Sequence, residues 1–510
     1  LFFVPLSCSV FYESSLSEGP KLVKHMNHRL PKTTSFLFVL SLFVGVSIAC
    51  FGNGVKPNIL FIFADDQSYE TIATLGNEEV STPNLDRLAN SGTAFTNAYN
   101  MGAWNGAVCV ASRNMLNTGR FVWRAHAQES TLPDLAKKEG FWSQLLEKSG
   151  YTTYMSGKWH VKIDPADIFQ HVVNPRPGMP NQTKKGYNRP TEGELDVWSP
   201  YDQSFEGFWK GGKHWSEVLA DDAEGFLENA SKDDKPFFMY LAFNAPHDPR
   251  QAPKHFVDMY PQESIQVPSS YTPEYPYSEE IGAGRKLRDE KLAPFPRSEY
   301  SVRVNRQEYY AIISHMDEQV GRILDALEKS GKKDNTYIFF TADHGLACGN
   351  HGLIGKQNMY EHSVKPPLIV IGPNIPKGEK RDAMVYLQDV MATTLDLADV
   401  AKPKYVEFNS LLPLIEDASR ESSYDAVYGC YLKDKQRMIR VGDYKLIAYP
   451  QAARLRLYNL AEDPQELDDL SGNPQHWGRI EALYQYLRAL QFDMEDSLNL
   501  DDFFPAMGKG

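Results

Sequence analysis

The chain has 510 residues, 42% of them hydrophobic and 23% charged, with a formal net charge of −13. Those proportions describe a globular protein with apolar material for one large core and a smaller one, and they exclude a fibrous or disordered chain. The acidic balance excludes a nucleic-acid partner, since neutralising phosphates takes an excess of Lys and Arg. An anionic substrate then requires cationic contacts concentrated in one place.

Met26 is followed by His28, Arg29 and Lys32, and then by an apolar stretch from Phe36 to Ala49. This pattern predicts a signal peptide over 26–49. The stretch is short for a membrane span, and the small residues Ser47 and Ala49 stand where a signal peptidase cuts. Residues 1–25 then form an upstream extension, and the product is expected in the periplasm, at the cell surface or outside the cell, without stable membrane insertion. Cys50 raises a lipoprotein anchor, a pattern that Ser47 and Ile48 fit poorly. Of the five cysteines, only Cys109, Cys348 and Cys430 belong to the mature chain, which is no disulfide framework. Pairing of Cys348 with Cys430 is left open by the sequence.

Apolar runs at Ile59–Ala64, Tyr151–Met155, Phe237–Phe243, Tyr337–Thr341 and Leu368–Ile371 alternate with helical patterns at Asn84–Asn90, Leu135–Lys148, Ser216–Asn229 and Val304–Lys329. This order predicts an α/β fold, a mostly parallel, mixed central sheet sandwiched by helices over residues 55–403. The stretches 163–214 and 245–300 lack periodicity and are rich in Pro, Gly and Tyr, so they are expected as long site-shaping loops. Beyond residue 404, Ala426–Leu432, Arg437–Val441, Tyr444–Tyr449 and Arg456–Leu460 read as short antiparallel strands. A smaller C-terminal α+β subdomain is therefore expected over 404–510.

In open parallel sheets, ligands bind outside the carboxyl ends of the strands. Four of the predicted strands end in polar residues: Asp65-Asp66; Lys158 and His160; His247 and Asp248; and Asp343-His344. Singly, such residues are turn formers, caps or solvated side chains. Their common position predicts that four carboxylates, three histidines and a lysine converge.

The segment Ala107-Val-Cys109-Val-Ala111-Ser-Arg113, followed by Thr118-Gly119-Arg120, resembles the formylglycine signature of the sulfatases, with Ala111 where proline is commoner. The resemblance extends from Pro57 through Gly157–His160, Ala245–His247, Asp343–Gly345 and Gly349–Lys356 to Asp463-Pro464. His344, where many members carry Asn, is similar to the iduronate-sulfatase-like and choline-sulfatase-like branches. The resemblance implies the alkaline-phosphatase-like architecture and a sulfuric ester hydrolase that acts through a formylglycine (3-oxoalanine) made from Cys109 by a maturation enzyme. It implies that Asp65, Asp66, Asp343 and His344, with residue 109, hold a divalent metal. Three carboxylates suit calcium, while the imidazole keeps magnesium or manganese in view.

The resemblance also implies roles for the remaining polar residues. Arg113 would stabilise the aldehyde hydrate, Lys158 and Lys356 would hold sulfate oxygens, His160 would deprotonate the sulfated intermediate, and His247 would protonate the leaving alcohol. Two other readings compete: a phosphonate monoester hydrolase or phosphodiesterase using the same groups, and an inactive glycan-binding homologue. Aromatic and basic residues interleave in the long loops, from Lys184 to Trp215 and again at His247, Arg250 and His255. They predict a sulfated saccharide substrate, with Lys210, His214 and Arg250 as contacts.

Overall fold

The computed structural model describes residues 56–507, so the predicted signal segment and Cys50 lie outside the described residues. The central sheet has eight strands, in the order Glu379–Arg381, Thr93–Phe95, Leu368–Ile371, Thr336–Ala342, Asn58–Ala64, Phe237–Ala242, Thr152–Lys158 and His171–Arg176. The five strands from Thr336–Ala342 to His171–Arg176 pair in parallel, while Leu368–Ile371 runs antiparallel to both its neighbours. The sheet is thus mostly parallel and mixed, as the alternation of apolar runs and helices predicts.

Asn58–Ala64 is buried along its whole length, and its side chains alternate between two cores. Leu60 and Ile62 pack with the helices Trp215–Ser231 and Glu299–Lys329, whereas Ile59, Phe61 and Phe63 face Leu116, Trp142 and Met391 on the other side. A strand covered on both faces has no polar side to show, which is why it reads as a continuous apolar run.

A second sheet holds four antiparallel strands, Val427–Tyr431, Gln436–Val441, Tyr444–Tyr449 and Arg454–Asn459. The helix Trp477–Asp493 contributes Ile480, Leu483, Tyr484 and Leu487 to the same core. A fifth strand comes from far earlier in the chain: Gly102–Ala103 pairs in parallel with Cys430 and Tyr431. This pairing anchors the approach to Cys109 six residues before it.

Two expectations need correction, and one open question is answered. The predicted helix Leu135–Lys148 is two helices, Leu132–Lys137 and Trp142–Lys148, separated where Glu139 adopts a φ of 54° beside Gly140. The stretch 163–214 is not all loop: His171–Arg176 adds an edge strand to the main sheet, and Trp209–Lys210 pairs with Lys213–His214 as a short hairpin. Its mostly exposed side chains and Pro175 conceal the edge strand in the sequence. Cys348 and Cys430 lie in separate cores, and Cys109, Cys348 and Cys430 are all free and buried. Among the described residues, no helix is long and apolar enough to cross a membrane.

Candidate active site

Cys109 is the second residue of the helix Val108–Thr118, all eleven residues of which are buried. Its Sγ therefore lies in the first turn, where unpaired backbone N–H groups favour negative charge. The helix ends on Gly119 at φ 71°, and a Cβ there would approach Val406 to 2.9 Å. Only glycine meets both conditions, which accounts for its place in the Thr118-Gly119-Arg120 element.

The carboxyl ends of Asn58–Ala64 and Thr336–Ala342, in register at Ala64 and Ala342, deliver Asp65, Asp66, Asp343 and His344 side by side. Asp65, Cys109, Asp343 and His344 each bring a donor atom within 4.8 Å of the others, and Asp65, Asp66 and His247 form an overlapping set. All of these residues are buried. Lys158 arrives from the end of Thr152–Lys158, two strands away from Asn58–Ala64, through a register shift at Ser156/Gly157. That bulge aims its Nζ at Asp65 Oδ2. Lys356 Nζ donates to both oxygens of Asp66 at 2.8 Å. Arg113 is fully buried, donating from Nε to Asp343 Oδ2 at 3.0 Å and from Nη1 to the Lys158 carbonyl at 2.9 Å. Its Nη2 lies 3.9 Å from Asp65 Oδ1, so the guanidinium braces two carboxylates.

Three fixed cations thus face three buried carboxylates, and the charge states follow. Burial, and then Asp343, push Asp65 well above the ordinary carboxylate range. Burial acts the same way on Asp343, but His344 and Arg113 outweigh it and hold that carboxyl down. Burial also opposes ionisation of Cys109, yet Lys158 and Lys356 overcome it and bring the thiol well below its usual value. The site is therefore built to stabilise negative charge at position 109.

The donor set fits a divalent cation. His344 donates from Nδ1 to the Gly345 carbonyl at 2.9 Å, which turns Nε2 toward the carboxylates, 3.2 Å from Asp66 Oδ1. His344 Nε2 and Asp65 Oδ1 are buried without a hydrogen-bond partner. Unpartnered buried ligand atoms of this kind, among carboxylates, are what a hard cation satisfies.

Two histidines complete the centre. His160 Nδ1 lies 3.5 Å from Cys109 Sγ. His247 donates from Nδ1 to the Asp248 carbonyl at 2.8 Å and lies 3.1 Å from Asp248 Oδ1, with Nε2 3.8 Å from Asp66 Oδ2. Asp248 is in turn paired with Arg288. Cys109, His160, His247 and Lys356 line a cavity of about 510 Å³ together with Met179, Arg288, Asp289 and Gln357. Those last four escape the sequence reading: they lie in or beside aperiodic loops, and no pattern distinguishes them there.

The three predicted saccharide contacts do not line this cavity. His214 is fully buried, with Nε2 2.9 Å from the Gln251 carbonyl and Nδ1 accepting from the Ser216 amide at 3.1 Å. It caps the helix Trp215–Ser231 and has no ring nitrogen left for a ligand, which corrects the expectation for it. Arg250 is also buried, donating to Asn305 Oδ1 at 3.0 Å and lying over the Tyr309 ring, so it ties its loop to the long helix. Lys210 is exposed, on the rim of an adjoining cavity.

The chain is similar to known proteins over most of its length. The family profile described as Sulfatase matches residues 57–400, and one described as N-sulphoglucosamine sulphohydrolase, C-terminal, matches residues 349–493. An arylsulfatase of Clostridium perfringens is 28% identical over 473 residues, covering 85% of this chain and 94% of its own. An N-acetylglucosamine-6-O-sulfatase of Bacteroides thetaiotaomicron is 27% identical, covering 87% of each chain. A solved structure described as a complex with its substrate D-glucosamine-2-N,6-O-disulfate superposes with a TM-score of 0.64 at 24% identity, over 87% of this chain and 99% of its own.

Proposed function

The chain belongs to the sulfatase family and is a sulfuric ester hydrolase; from that premise we propose that a formylglycine made from Cys109 is its nucleophile and a sulfated saccharide its substrate. The observation that carries the reading is the convergence of Cys109 with Asp65, Asp343 and His344 in one buried cluster faced by Lys158 and Lys356. We take residues 55–403 as the catalytic domain and 404–510 as the C-terminal subdomain.

Asp65, Asp66, Asp343 and His344 would hold the metal, calcium by the weight of carboxylate oxygen, and when bound it would supply Lewis-acid polarisation of a sulfate oxygen. The formylglycine would supply a hydroxyl nucleophile and a route for releasing sulfate that a serine lacks. The protein's own side chains do the rest. Lys158 and Lys356, both buried, bring positive charge to the place where sulfate oxygens accumulate negative charge. Arg113 keeps Asp65 and Asp343 in place. His160, beside residue 109, is positioned to take a proton from it. His247, its Nδ1 proton fixed on the Asp248 carbonyl, presents Nε2 toward the cavity for protonating the leaving alcohol.

The saccharide reading is supported by a cavity of about 510 Å³, within the range that encloses a small ligand. It is also supported by the acetylglucosamine sulfatase among the relatives. Export through the 26–49 segment and modification by a formylglycine-generating enzyme belong to the same proposal. Sulfate release from a panel of sulfated mono- and disaccharides, run beside an aryl phosphodiester and an alkyl phosphonate ester, tests it. Faster turnover of the phosphorus esters would refute the sulfatase assignment, and an inert protein whose Cys109 is fully converted would favour a binding homologue.

A further inference from the structure

The cavity of about 510 Å³ that holds Cys109 shares Met179 with a second one of about 580 Å³, which opens between the end of the edge strand His171–Arg176 and the Trp209–His214 hairpin. Nothing in the chemistry at Cys109 uses this second space. Its walls carry one exposed carboxylate, Glu206, and two cations that make no ion pair among the described residues. Arg176 ends the edge strand, directly beside Lys158 in the sheet register. Its guanidinium lies 4.6 Å from the centre of the Trp215 ring. The nearby carboxylate Asp222 is engaged elsewhere, by Ser156 Oγ at 2.7 Å and Asn174 Nδ2 at 2.9 Å. Lys210 stands on the hairpin just before the Gly211-Gly212 turn, while the hairpin's other lysine, Lys213, is paired with Asp221.

A half-buried guanidinium without a carboxylate is costly. Partial burial depresses its pKa, and Asp222 offsets that only in part. Stacking on an indole stabilises it modestly and fixes its plane, leaving its N–H edge free for bidentate pairing with a planar or tetrahedral oxyanion. The position also matters: Arg176 lies at the carboxyl end of the sheet, three residues before Met179, and leads into the loop whose Gly178 packs against the His160 ring. An anion held there sits next to the catalytic pocket.

We propose that this second cavity is a subsite for an anionic substituent, sulfate or carboxylate, on the sugar ring next to the one whose sulfate is cleaved, with Arg176 as the pairing residue and Lys210 at its rim. The proposal rests on the saccharide reading above and sharpens it: the preferred substrate carries a second negative charge one ring away. Arg176 and Lys210 act on selection of the substrate, not on the reacting atoms.

The test compares kcat/KM for three disaccharides with the same scissile sulfate, whose neighbouring ring is neutral, carries a carboxylate or carries a second sulfate. The wild type is expected to favour at least one charged neighbour over the neutral one by about tenfold or more, mainly through KM. Arg176→Ala should bring that ratio to within about threefold, and Lys210→Ala should lower it by a smaller factor. The two charged disaccharides identify which anion the subsite takes. Equal use of all three by the wild type, or a preference that survives both substitutions, overturns the subsite while leaving the hydrolase reading intact. Failure to release sulfate from any saccharide counts against the saccharide reading instead. Calorimetric binding of the same three compounds to Cys109→Ala then decides the subsite without turnover: a preference for charge that Arg176→Ala removes supports it, and indifference to charge refutes it.

Discussion

Cys109 Sγ and His160 Nδ1 lie 3.5 Å apart, brought together from a buried helix and from the second residue past the end of the bulged strand. His160 is held there by a backbone φ of 57° and by close packing of Gly178 on its ring, so its reach to position 109 does not depend on a mobile side chain. The first prediction follows from this pair. Cys109 is converted to formylglycine in active protein, so its tryptic peptide has lost the thiol and reacts with hydrazides. Cys109→Ala abolishes sulfate release with the fold retained, and His160→Ala lowers kcat by about 10²–10⁴-fold. Full activity in protein whose Cys109 is shown to be an intact thiol would sink the assignment.

The carboxylate cluster carries the second. Asp343 is braced by Arg113 at 3.0 Å and accepts from the Asp66 amide at 3.2 Å, so Asp343→Asn keeps the shape while removing a charge from the cation site. Metal content by elemental analysis and turnover should fall together, by more than the roughly 10–100-fold that a partner outside the coordination sphere costs. Chelation should inactivate the enzyme and calcium should restore it. Undiminished rate in metal-free protein would refute the ligand set.

His247 and Asp248 give a prediction about the leaving group. The Asp248 carboxylate lies 3.1 Å from His247 Nδ1 and is itself paired with Arg288, so Asp248→Asn removes the charge beside the ring while keeping the backbone carbonyl that Nδ1 donates to. Catalysis should fall by about 10–100-fold on an alkyl or sugar sulfate, and by much less on a nitrophenyl sulfate, whose leaving group needs little protonation. Equal losses on both would mean that His247 is not the acid.

The bulge before Lys158 can be tested by backbone chemistry. Gly157 has φ 92°, and a Cβ there would come within 1.9 Å of the Ala242 carbonyl oxygen on the adjacent strand. Gly150 has a similar φ of 99° with nothing within 4 Å. Gly150→Ala therefore carries only the backbone cost of about 1–3 kcal/mol. Gly157→Ala adds a clash with backbone, so it should be clearly less stable in denaturant titration and slower in turnover, because Lys158 is displaced from Asp65. Equal stability of the two variants would contradict the geometry at the bulge.

Much of the catalytic centre is legible in the sequence because buried parallel strands are continuous apolar runs, and the residues that break them, Asp65, Asp343 and His247, sit at the ligand-binding end of the sheet. The helix that carries Cys109 is not legible by periodicity: burial on every side leaves it without an amphipathic stripe. The substrate contacts are the least legible. A basic residue in an aperiodic stretch looks the same whether it lies inside, as Arg250 and His214 do, or at a rim, as Lys210 does. Only the three-dimensional path of the chain separates them.

The last prediction concerns acid stability, and it rests on a histidine away from the catalytic cluster. The His351 ring stacks on Tyr360 with centroids 3.8 Å apart, donates from Nε2 to the Glu466 carbonyl at 3.1 Å, and lies 3.3 Å from His362 through Nδ1. Burial pushes its pKa down from 6.5 to about 4. The unfolded chain therefore binds a proton between those values that the folded chain refuses, so stability is full above pH 6.5 and is lost as pH falls toward 4. At about 1.4 kcal/mol per pKa unit, the loss from this group is about 3 kcal/mol. Tm measured from pH 7.5 down to pH 4 should fall steeply across that window. His351→Asn, which tolerates the local φ of 53°, should start lower at neutral pH, because it gives up the stacking on Tyr360, and then decline less steeply. Parallel curves for the two proteins would show that acid sensitivity arises elsewhere, with His362 next in line, since burial and then the neighbouring His351 hold its pKa well below the usual value.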